Sequence, residues 1–132
     1  MSISFHRYGN VGFLILRFII GGIFIYHGYM KWGMWTAPAG NMASWLLIVM
    51  QILSIAEPLA GVALIIGVVT EFAALGLTID MAGAIWLKIT LWHTAFSAGN
   101  STGWEFDLIL LGATLFLFLN GAGTLALQQL DE

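Results

Sequence analysis

"VGFLILRFIIGGIFIYHGYMKW", Val11 to Trp32, is almost continuously apolar, yet it holds an arginine, a histidine and a lysine. Its length is what a helix needs to cross the hydrocarbon core of a bilayer, about 20 residues. Three more runs of the same kind follow at Trp45 to Val69, Glu71 to Trp92 and Trp104 to Leu127. Of the 132 residues, 60% are apolar and only 8% charged, with a mean hydropathy of +0.93, which excludes a water-soluble domain. In lipid every backbone polar group must find its partner inside the protein, so runs of this length are read as helices. The expected fold is therefore all-α: an integral membrane antiparallel four-helix bundle, with residues 1–132 as one membrane domain.

Composition removes several function classes. The chain has no cysteine, so it makes no disulfide, runs no thiol redox chemistry, holds no iron–sulfur cluster through its own thiolates and attaches no c-type haem. A redox role would need a bound ligand or a partner, since no intrinsic cofactor is predicted. No basic run or stripe exists that could follow a nucleic acid. The start, "MSISFHRYGN", lacks the basic, apolar and small-residue order of a cleaved signal, so the first run is expected to remain as a span.

The connections are "GMWTAPAGNMAS" (Gly33 to Ser44), a tight turn around Thr70, and "TAFSAGNSTG" (Thr94 to Gly103). The first and third share one side of the membrane; the short turn and both termini share the other. Arg7 is the only Lys or Arg clearly outside hydrocarbon, which places both termini in the cytoplasm by the positive-inside rule. All six tryptophans, Trp32, Trp35, Trp45, Trp86, Trp92 and Trp104, fall at the opposite, outer ends of the helices. They read as an interfacial aromatic belt or as the rim of an outer pocket. Glycines inside the runs read as helix-packing positions.

Charges inside a span cost about 2.5–3.5 kcal/mol each at the bilayer centre and usually face the bundle interior. At a rise of about 1.5 Å per residue, Arg17, Asp80 and Glu57 come out roughly 9, 13 and 18 Å from the inner edge, and His27 and Lys88 about 24–26 Å. The first three form an inner tier, read either as an ion-paired network with Arg17 shared between Glu57 and Asp80 or as a proton path. Pro58, next to Glu57, frees a helix carbonyl for a ligand or water.

The outer tier comprises His27, Lys31, Lys88, His93, Glu105 and Asp107. It suits a planar amphipathic ligand with oxygen functions such as a quinone head group, with His27 or Lys31 donating to a carbonyl and Glu105 holding the imidazole. The bland reading is lysines snorkelling to the headgroups and histidines resting at the interface. Metal ligation by His27, His93 and a carboxylate has no close-spaced ligand pair behind it, facing histidines on the first and third runs are a remote reading as b-type haem ligands, and no metal site is predicted.

"LRFIIGGIFIYHGYMKW", "EPLAGVALIIGVVT", "GWEFDLILL" and "NGAGTLAL" together resemble the DoxX family of small four-helix membrane proteins. The resemblance implies a bacterial or archaeal inner-membrane protein. Its implied associates are thiosulfate:quinone oxidoreductase or quinol oxidase assemblies, oxidative-stress complexes or resistance to toxic quinones. It also points to Arg17, His27, Lys31, Glu57 and Glu105. There are two departures from it: Thr70-Glu71 stands where the family commonly has Thr-Arg, and Asp80 and Lys88 fall in no family motif. Three functions follow as expectations: a quinone-interacting subunit of a membrane oxidoreductase, working with a redox partner or as a homo-oligomer; a non-catalytic anchor or assembly factor; and a small proton-coupled transporter.

Overall fold

The computed structural model describes residues 6–37 and 40–129; the ends of the expected 1–132 domain and residues 38–39 of the first connection lie outside the described residues. The described residues are helical and carry no strand. They form α1 (Gly9–Met30), α2 (Ser44–Ile66), α3 (Thr70–Thr90) and α4 (Trp104–Asn120), with a short 3-10 turn at Trp32–Trp35. Three helices, α1 with its 3-10 extension, α2 and α3, are long and apolar enough to cross a membrane. At 17 residues, α4 spans about 25 Å.

The helices pack as two tight pairs, α1 along α2 and α3 along α4. Gly21 and Gly61 make the first pairing possible. A Cβ on either glycine would stand 2.5 Å from the carbonyl oxygen of the other, so only glycines allow the backbones this close. In the second pair the Thr78 hydroxyl meets that of Thr114 at 2.9 Å, a hydrogen bond between helices where water offers no alternative. Phe24, Leu64, Leu77, Met81, Leu110 and Leu117 fill the shared core. Large apolar side chains such as Phe72, Ile79, Ile109 and Leu119 cover the outer surface, as lipid contact requires.

Helix ends fall earlier than hydropathy predicts. α2 stops at Ile66 because Gly67 turns left-handed (φ 80°), and α4 stops at Asn120 because Gly121 and Gly123 do the same (φ 78° and 77°). The apolar stretch after Asn120, read from sequence as helix, instead folds back under the bundle. The Gln128 N–H reaches the Gly67 carbonyl at 2.9 Å and the Thr124 N–H reaches the Asn10 side-chain oxygen at 3.1 Å. Residues 121–129 thus form a latch tying the end of α4 to α1 and to the α2–α3 turn.

Pro58 shows how a local defect is repaired. Its missing N–H would have paired with the Ser54 carbonyl one turn earlier. That carbonyl accepts the Trp32 indole N–H at 2.9 Å, while the Trp35 indole donates to the Ser54 hydroxyl at 2.8 Å. The oxygen expected to be open to a ligand is thus closed by a tryptophan. The Pro58 ring fits because α1 presents Gly28 to it, where any Cβ would collide with the ring. Trp32→Phe keeps an aromatic ring but deletes the donor, and is expected to cost about 1–3 kcal/mol by leaving that carbonyl unpaired. Thermal unfolding in detergent, with Trp45→Phe as a control, checks this.

Candidate functional site

A cavity of about 570 Å³ lies between the two helix pairs, in the half of the bundle nearer the tryptophan-rich end. His27 and Lys31 enter it from α1, Glu57 from α2, Asp80 and Lys88 from α3, and Asp107 from α4. Its rim includes Met30, Val49 and Ile79, which are 63%, 38% and 65% exposed, so the cavity opens sideways between helices toward the lipid.

Two ion pairs organise the walls. The Lys31 ammonium lies 2.9 Å from Glu57 Oε2 and 3.2 Å from Oε1, and donates a further bond to the His27 carbonyl at 3.3 Å. The Lys88 ammonium lies 2.6 Å from Asp107 Oδ2 and 3.3 Å from the Thr102 carbonyl. Both carboxylates are almost fully buried, with side-chain exposures of 2% for Glu57 and 6% for Asp107, and each depends on its lysine for compensation. Asp80 stands beside Glu57, and its Oδ2 is buried without a hydrogen-bond partner among the described residues. The His27 ring is held between Phe106 and Phe24, with centroids 5.6 and 6.3 Å away. An imidazole steadied by aromatics beside two lysines gives one apolar chamber several hydrogen-bond donors.

The two tiers read from sequence are regrouped. Glu57 and Asp80, assigned to the inner tier, share the cavity with His27, Lys31, Lys88 and Asp107 of the outer tier. Glu105 and His93 are not part of it: Glu105 is exposed in the first turn of α4, and His93 is exposed in the connection after α3. At a helix N-terminus the Glu105 charge has an ordinary place, complementing the helix dipole.

Arg17 does not join the carboxylates either. It is 1% exposed, and its guanidinium donates to the carbonyls of Ala122 (2.9 Å), Leu125 (2.8 Å) and Ile65 (3.3 Å). These are backbone acceptors at the end of α2 and in the latch, where carbonyls lack helical partners and the helix dipoles favour positive charge. The expected network of Arg17, Glu57 and Asp80 is therefore replaced by two separate devices, a cation that binds the latch and a charged cavity.

Sequence reasoning missed the methionines. Met30, Met34, Met42, Met50 and Met81, five of the six in the chain, all line this cavity. Four of them, Met30, Met34, Met42 and Met50, crowd around the first connection in the sequence, although their convergence with Met81 is not visible there.

A family model described as DoxX matches residues 12–90, which cover α1 from its second turn, α2 and α3. The α4 motifs lie beyond the matched stretch. No curated protein and no solved structure matches the chain.

Proposed function

Since this chain belongs to the DoxX family of membrane proteins, we propose that it is a quinone-interacting subunit of an inner-membrane oxidoreductase or quinone-stress system, and that its cavity receives the quinone head group. The observation that carries this reading is one chamber, open to the lipid side, in which hydrogen-bond donors stand among apolar and aromatic walls. A quinone is a planar apolar ring with two carbonyl acceptors, it travels in the bilayer, and its head group suits a pocket in the range of about 300–1,000 Å³.

In this proposal the His27 imidazole donates to one carbonyl. Its alignment comes from Phe106 and Phe24. The Lys31 ammonium, already holding three oxygen acceptors, acts through its charge at the end of the chamber, and Lys88 does the same from the α3 side. Electrons would pass to or from a redox partner or a second copy, because the chain has no cysteine with which to hold a carrier. With Arg7 as the one Lys or Arg read as clearly outside hydrocarbon, both termini are proposed to face the cytoplasm, which puts the cavity toward the outer leaflet.

Titrating the purified protein in nanodiscs with a short-chain quinone and following tryptophan fluorescence tests this, because Trp92 lines the cavity. Saturable quenching is expected in the wild type. His27→Ala should weaken it at least tenfold, while Glu105→Gln and His93→Ala, both outside the cavity, should leave it unchanged. Equal quenching in wild type and His27→Ala would remove the proposal.

A further inference from the structure

Three carboxyl groups and two lysines face the cavity. Lys31 and Lys88 supply two positive charges, and each is used up on its own carboxylate, Glu57 and Asp107. Asp80 is the third carboxylate in the chamber, and no lysine or arginine among the described residues reaches it. It stands beside Glu57 in a carboxyl–carboxyl hydrogen bond that holds one proton between them, while its Oδ2 is buried and unpartnered among the described residues. A cation placed against this pair can take the place of the shared proton, because a partly buried carboxylate gains from an opposite charge beside it.

The walls narrow the kind of cation. A small hydrated ion would need oxygen ligands, and among the described residues no cluster of three or more His, Asp or Glu is placed to hold a metal. Most of the remaining lining of the chamber is thioether and hydrocarbon, the five methionines with Val49, Leu53 and Leu87, and the indole of Trp92. Methionine side chains are unbranched and polarizable, and surfaces rich in them adapt to apolar ligands of different shape. An indole face attracts a diffuse positive charge. A volume of about 570 Å³ is far more than a bare ion fills, and it opens toward lipid.

We propose that this cavity binds lipophilic organic monocations, with the Asp80 carboxylate as their counter-charge and the methionine walls as their apolar seat. This goes beyond the quinone reading. It requires only the cavity and its third carboxyl group, with the bound cation replacing the proton that Asp80 and Glu57 share, and it stands if no quinone binds.

The test is calorimetric titration of the full chain in nanodiscs of zwitterionic lipid, with empty nanodiscs as the partition control. The probes are tetraphenylphosphonium and the neutral triphenylphosphine oxide. The wild type should bind the cation saturably and at least tenfold more tightly than the neutral compound. Asp80→Asn, nearly isosteric, should abolish that preference, and Asp80→Glu should restore it. Equal affinity of the wild type for the two probes, no saturable binding of the cation, or a preference that survives in Asp80→Asn would each overturn the proposal. Should Asp80→Asn fail to fold, the wild-type comparison decides alone.

Discussion

Arg17→Met will cost the protein several kcal/mol of stability, the largest effect expected of any single substitution outside the cavity. The guanidinium is 1% exposed and holds three carbonyls, from Ile65, Ala122 and Leu125, that have no helical partner. Each buried acceptor left unpaired costs about 1–3 kcal/mol, and methionine offers none of them a donor. The latch over residues 121–129 should therefore detach, and proteolysis should cut there before it cuts elsewhere. Arg17→Lys keeps the charge but replaces a planar fork by one ammonium, so it should fall between the two. Unfolding in detergent and limited proteolysis give the readout. A loss under about 1 kcal/mol in Arg17→Met would mean that the latch does not depend on this residue.

Lys31→Met comes next in size, for a different reason. Removing the ammonium leaves the buried Glu57 carboxylate next to Asp80 with no cation in contact, and breaking one side of a buried pair costs about 3–5 kcal/mol. Lys31→Met with Glu57→Met removes both charges at similar volume. A buried ion pair replaced by well-packed apolar residues is often neutral or stabilising, so the double variant should recover most of the loss. That recovery would show that the bundle does not need this pair in order to fold, and would leave ligand binding as the reason for keeping it.

The spans were legible because hydropathy over about 20 residues is a strong signal, against which the arginine, histidine and lysine of α1 stand out. Helix ends were less so. "GAGTLAL" is as apolar as a span, and only the left-handed glycines Gly121 and Gly123 reveal that it leaves the helix. The partners of the buried charges were misassigned because depth was taken at the backbone. Helical side chains lean toward their own N-terminus, so on antiparallel helices they lean in opposite directions. Lys31 on α1 and Glu57 on α2 lean toward each other and meet. Arg17 leans away from Glu57, toward the latch.

Of the two acids read into the outer tier from the start of α4, Asp107 faces the cavity and Glu105 does not, and phase separates them. The buried positions of α4 are Asp107, Leu110, Thr114 and Leu117, a heptad-like stripe that excludes Glu105. In a helix apolar on every face this stripe stands out too weakly to be read first.

The central claim is that the charges between the helix pairs exist to bind a ligand, and the most direct measurement is the quinone titration repeated on the refolded-stable Lys31→Met/Glu57→Met variant. The account predicts a protein of near wild-type thermal stability whose saturable fluorescence quenching is weakened at least tenfold. A variant equally stable that still binds quinone with wild-type affinity would contradict it.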